Sequence, residues 1–123
     1  MGLFSRLGIG GGKLSIEMTD QAALRGDVVF AGGKRAQRLN AVKAWLAQTK
    51  IGGKGASMIV VAPATLSGER LDVAANEIRR FFFELKAPPG LSPTKPGETE
   101  YAIFASADVE DEIDLQVHAP VTI

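Results

Sequence analysis

Lys34-Arg-Ala-Gln-Arg-Leu-Asn-Ala-Val-Lys-Ala-Trp-Leu-Ala-Gln-Thr-Lys50 is the stretch on which the fold turns. It is rich in Ala, Leu, Gln, Lys and Arg, all good helix formers. Leu39, Val42 and Leu46 recur at i, i+3 and i+7, the spacing of one helix face. The same residues also read as a strand, with Val42, Ala44 and Leu46 alternating against Lys43 and Trp45. A helix here makes the chain α+β; a strand makes it all-β. Propensity by itself favours the helix.

Working outward, most other segments read as strands. Lys13-Leu-Ser-Ile-Glu-Met18 puts Leu14, Ile16 and Met18 on one face, the period-two pattern of a half-buried strand. Arg25-Gly-Asp-Val-Val-Phe-Ala31 reads as a second strand, entered through a glycine turn and closed by Gly32-Gly33. Ahead of both, Leu3 to Ile9 predicts one or two turns of apolar helix, and Gly10 to Gly12 a flexible joint. Beyond Lys50, the glycines at 52, 53 and 55 make a loop. Met58-Ile-Val-Val-Ala62 is a short β-rich run stopped by Pro63. Arg70 to Arg80 again reads as helix. Ile78 to Leu85 suits a strand with Ile78, Phe81, Phe83 and Leu85 inward, which requires one irregularity after Ile78. The Pro88-Pro89-Gly90 and Pro93 to Gly97 segments form an extended loop, since neither admits helix. Tyr101–Ala105 and Ile113–Val117 complete the chain as strands. Short strands separated by Gly and Pro turns predict a β-sandwich.

The 123 residues suit one domain, with a joint at residues 1–12 and a sandwich over 13–123. No cysteine is present, which excludes disulfides and thiolate metal sites. No run is long enough for a transmembrane helix, and residues 1–12 fit neither a secretory signal nor a myristoylation pattern. A cytoplasmic location is therefore expected. Net charge is zero, yet residues 1–54 hold nine basic against three acidic residues and residues 55–123 hold five against eleven. Read one way, this split is a dipole that orients a partner or favours head-to-tail self-association. Read the other way, the halves interleave and the charges intermix.

Motifs for chemistry fail where they are tested. A phosphate loop ending at Gly12-Lys13 needs Gly and Ser or Thr where Leu7 and Leu14 stand. The same test at Gly53-Lys54 meets Gln48 and Gly55. Neither glycine cluster fits the dinucleotide fingerprint. His118 is the only histidine, so it anchors no ordinary transition-metal site, and it reads as a surface or partly packed residue. The serines lack a nucleophile elbow. The acidic run Asp108, Glu110, Asp111, Glu112, Asp114 misses the calcium-loop pattern at its sixth position, Ile113. The basic run Lys34, Arg35, Arg38, Lys43 has one aromatic nearby and no overall basic excess, which argues against nucleic acid and for an acidic protein partner or a solvated face. No cofactor is implied.

A family resemblance breaks the tie at Lys34–Lys50. Leu3 to Gly12 resembles the apolar opening of the bacterial sporulation-control family of arrestin-like proteins. Leu24-Arg25-Gly26-Asp27 is similar to that family's turn before its Val-rich second strand, with Asp for Glu. Gly32, Gly33 and Gln37 match the residues that close this strand and open the third, and Leu39, Val42, Ala44 and Leu46 match the third strand's apolar pattern. Phe81 to Gly90 and Tyr101 to Ala105 resemble later strands. The resemblance implies an arrestin-like, immunoglobulin-like β-sandwich with a short N-terminal helix, and strands at Leu39–Leu46 and Ile78–Leu85. It also implies a non-enzymatic adaptor or regulatory protein. Members usually carry two sandwich domains, where this chain has length for one.

The expected function is a protein-interaction module that uses open strand edges and charged faces. Candidate contact residues are Leu3, Phe4 and Leu7, with Ile9, in the N-terminal segment; Lys34, Arg35 and Arg38 in the basic run; and Asp108, Glu110, Asp111 and Glu112 in the acidic run. The alternatives are an α+β domain binding a small ligand near Trp45 and the phenylalanine cluster, and a subunit of a homo-oligomer.

Overall fold

The computed structural model describes Arg6–Leu7 and residues 11–123. Its strands are β1 (Arg6–Leu7), β2 (Lys13–Asp20), β3 (Arg25–Ala31), β4 (Gln37–Gly52), β5 (Gly55–Ser67), β6 (Leu71–Val73), β7 (Ile78–Glu84), β8 (Thr99–Val109) and β9 (Leu115–Val121). No helix occurs among the described residues. One antiparallel sheet runs β1-β2-β3-β7 and the other β5-β4-β8-β9, with β6 pairing β4 beyond the end of β5. Leu14, Ile16, Val28, Phe30 and Phe83 of the first sheet join Leu39, Val42, Leu46, Ile103 and Leu115 of the second in one buried core.

The decisive stretch is therefore a strand, and the α+β alternative falls with it. β4 lies inside its sheet, bonded to β5 and β6 on one side and β8 on the other. Burial on one face and pairing along both edges outweigh a propensity difference of a few tenths of a kcal/mol per residue, about 0 to 0.7. The helix-like spacing has its own cause. Leu39 pairs Val109 while Ala41 pairs Asp108, so Asn40 is an extra residue in the ladder. This bulge reverses the alternation and brings both Leu39 and Val42 inward, three residues apart. Bulges of this kind imitate a helical period.

Four other expectations need correction. The N-terminal helix is contradicted where the segment is described: Arg6 and Leu7 pair Leu14 and Lys13 as a strand. Arg70–Arg80 is β6, a turn with Asn76 at φ 62°, and the start of β7. β5 does not stop at Pro63, which pairs Trp45 inside the strand. Proline has no N–H to donate, but β5 is an edge strand, where that loss is tolerated. In β7 no irregularity follows Ile78: the register runs unbroken from Ala31–Ile78 to Arg25–Glu84. Phe81 and Phe83 face inward with Arg79, and Ile78 is left 60% exposed.

Gly26 sits within β3 rather than in a turn; the turn residue with positive φ is Leu24, at 53°. A Cβ on Gly26 would lie 2.4 Å from the Glu17 carbonyl oxygen and 3.0 Å from Phe83 Cζ. The glycine lets the Phe83 ring and the neighbouring strand approach. Deeper in the second sheet, buried Gln48 donates to Tyr101 Oη at 2.8 Å, and Tyr101 Oη donates in turn to the Ser92 carbonyl.

The charge split does not become a dipole between halves. The two halves interleave as strands, so opposite charges meet across them. Arg25 reaches Glu84 at 2.6 Å, Arg80 reaches Glu17 at 2.7 Å and Arg38 reaches Asp72 at 2.8 Å.

Candidate functional site

One end of the sandwich gathers most of the charged residues singled out above. The loop entering β4, the end of β6 and the β8–β9 turn line an open groove of about 840 Å³ that includes Arg35, Arg38, Asp72, Glu110, Asp111 and Glu112. Arg38 is held between Asp72 and Glu110, the latter at 3.7 Å, and Arg70 approaches Glu110 at 3.6 Å. The hydrogen bond that Arg38 donates to Asp72, then the charges of Asp72 and Glu110, hold the Arg38 guanidinium above its ordinary range. Buried Gln37 ties the groove together: its Oε1 accepts the Gly33 N–H at 3.0 Å and its Nε2 donates to the Glu112 carboxylate at 3.2 Å. The basic and acidic runs thus meet through Arg38 and Glu110. Such exposed pairs contribute little stability, and the groove's lining, with Arg35 and Arg38 against Asp72, Glu77, Glu110, Asp111 and Glu112, keeps an acidic excess. Lys34 is exposed on the loop before β4, and Asp108 is exposed on the outer side of β8.

Asp108 takes part in a separate small cluster. Asn40, the bulge residue, donates to Asp108 Oδ1 at 3.4 Å, and Asn40 Oδ1 is buried without a partner. Partial desolvation first, then the charge and hydrogen bond of Asp108, raise the carboxyl of exposed Asp114 above its usual range. Among the described residues no group of three His, Cys, Asp or Glu is placed to hold a metal ion.

Leu3, Phe4 and Ile9 lie outside the described residues. Leu7 is in β1, its backbone paired with Lys13.

Two features of the second sheet were not anticipated. The first is a row across its outer face. Pro63, Trp45, Phe104 and His118 occupy one register on β5, β4, β8 and β9. Trp45 stacks on Phe104 with centroids 5.7 Å apart, and Phe104 on His118 at 5.2 Å. His118 is half-buried, as expected of a partly packed residue. The rings spend their faces on one another, the cross-strand stabilisation open to any sheet. Trp45 and the Phe81–Phe83 cluster stand on different sheets, so the expected ligand pocket between them does not form. A groove of about 650 Å³ does run beside Phe104 and His118, bounded by Met58, Glu100, Thr94 and Pro120.

The second feature is the β4–β5 hairpin. Every residue from Ile51 to Val60 is exposed, although Gly55–Val60 keeps its strand pairing to β4. Met58, Ile59 and Val60 are each 55% exposed and consecutive, so apolar side chains point to both faces. In sequence, Met58–Ala62 reads only as a short β-rich run; its exposure depends on tertiary placement of the hairpin, which no local pattern records.

These features define a class: an all-β protein of two antiparallel sheets around one core, with open sheet edges. No family model matches the sequence, and no curated protein matches it. Among solved structures, the fold is similar to that of Spo0M, the sporulation control protein from Bacillus subtilis, with a TM-score of 0.76 and 20% sequence identity. The likeness covers 93% of this chain and 49% of that one, so this chain spans about half the length of Spo0M. At that identity it establishes the fold alone, an all-β sandwich as the sequence resemblance implies, without the N-terminal helix among the described residues. No helix of the described residues is long and apolar enough to cross a membrane.

Proposed function

We propose that this chain is a non-enzymatic regulatory module that works by binding other proteins, as an adaptor of the sporulation-control type. The observation that carries this reading is the likeness to a sporulation control protein over 93% of the chain. The exposed apolar hairpin agrees with it, because contiguous apolar surface on a water-facing element marks interaction sites. The charged groove, part of whose charge is paired internally, is a weaker candidate contact, and the hairpin is the stronger one.

The test is cross-linking in the source cell with the tagged full chain, followed by quantitative mass spectrometry. A reproducible set of proteins should be enriched over a tag-only control, and it should shrink for the Met58→Lys/Val60→Lys variant. Enrichment no different from the control contradicts the reading.

A further inference from the structure

An unpaired strand edge is a template for another strand, and proteins usually blunt it with charge, proline, shortness or a cover. The sheet edges among the described residues follow this rule with one exception. β1 is two residues long and β6 is three. β7 carries Arg79 and Arg80, the latter fixed by Glu17 and Asp27. β9 carries Pro120. β5 has no charged residue in its 13 positions, and its hydrogen-bonded partner is β4 alone. Its second half is interrupted by Pro63 and by a bulge at Val61, where Leu46 pairs Ala62 but Ala47 pairs Val60. Gly55–Val60 remains as an uncharged, exposed edge with an unbroken register to β4.

We propose that Gly55–Val60 pairs antiparallel with the same segment of a second copy of this chain, about a two-fold axis. Charge selects this occupant. The segment has nothing to offer a strongly acidic or basic partner, whereas an uncharged strand meets itself without penalty. The flanking Lys54 residues of the two copies fall at opposite ends of the paired segment, roughly 20 Å apart at about 3.4 Å per residue. That is beyond the screening length of about 8 Å at physiological salt. The whole chain has zero net charge, so no long-range repulsion opposes the encounter. A two-fold strand pair is also self-complementary by construction. In that register Met58, Ile59 and Val60 of each copy lie opposite Ser57, Ala56 and Gly55 of the other, and the two β5-β4-β8-β9 sheets become one continuous sheet. The inference rests on the interaction reading only in that the hairpin is a contact surface, and its test separates the two.

The test is sedimentation velocity of the full chain from low to high micromolar concentration. Wild type should pass from 13.0 kDa to twice that mass. Ile59→Lys, and independently Met58→Lys/Val60→Lys on the opposite face, should stay monomeric with an unchanged circular dichroism spectrum. Each should weaken dimerisation at least about 100-fold, because the substitution enters a two-fold interface twice. Phe82→Lys on the β7 edge should leave the dimer intact. A wild type that is monomeric throughout overturns the proposal, as does a dimer that survives both hairpin variants. A monomer that still enriches partners in the cross-linked cell leaves the interaction reading standing without self-pairing. A dimer with no such partners does the reverse.

Discussion

β5 and β7 are free edges of opposite sheets that meet along one side of the sandwich, and they are built in opposite ways. β7 buries Phe83 at 1% exposure and carries charged residues on its rim. Its Arg80 pairs with Glu17, whose carboxyl is held below its usual range by that hydrogen bond. β5 leaves three consecutive apolar residues at 55% exposure and carries no charge. Both need a strand-compatible sequence, but only β7 contributes strongly to the core. Stability and contact are thereby assigned to different edges, and substitutions at the two should separate cleanly.

The largest stability effect should come from emptying the β7 side. Phe83→Ala removes a fully buried ring and is expected to cost about 3–5 kcal/mol, read from the urea midpoint. Gly26→Ala attacks the same junction from β3, since the new Cβ collides with the Glu17 backbone and the Phe83 ring. An overpacking loss of about 1–3 kcal/mol is expected. On β5, Met58→Lys should change the midpoint by no more than about 0.5 kcal/mol, as at other exposed positions. A loss there as large as that of Phe83→Ala would erase the distinction between the edges.

The smallest effect lies away from both. Asp114, though exposed, has its folded pKa raised by partial desolvation and by Asp108. A carboxyl raised in this way favours folding when protonated, and that contribution is lost as pH rises through its folded value. Ionised Asp114 therefore opposes folding at neutral pH. Asp114→Asn should raise the melting temperature slightly at pH 7, and the gain should vanish below about pH 4, where the wild-type carboxyl is protonated.

Much of the fold was legible in local pattern. β2 and β3 were placed by alternation and glycine punctuation, and the Pro-rich loop by the geometry of proline. The misreadings share a cause. At Asn40 a bulge turned strand parity into a helix-like i, i+3 step, and only pairing on both edges of β4 resolves the two. At Ile78 the alternation was sound, but an apolar residue stood on the outer face and an arginine on the inner, so reading hydrophobicity as burial shifted the phase. The apolar opening suggested a helix, whereas Arg6–Leu7 adds to a sheet edge supplied from Lys13–Leu14. The charged residues expected to form contacts lie in two separate runs of sequence, and their meeting in one groove depends on a topology that places β6 and the β8–β9 turn beside the start of β4. The open hairpin was invisible for the same reason, since its exposure is set by tertiary placement.

The most direct measurement is amide hydrogen exchange followed by mass spectrometry at low and high protein concentration. Self-pairing at β5 predicts that protection of Gly55–Val60 rises with concentration, while Ile78–Glu84 is unchanged. Protection of Gly55–Val60 that is independent of concentration, or that rises instead along β7, would contradict the assignment of contact to the uncharged edge.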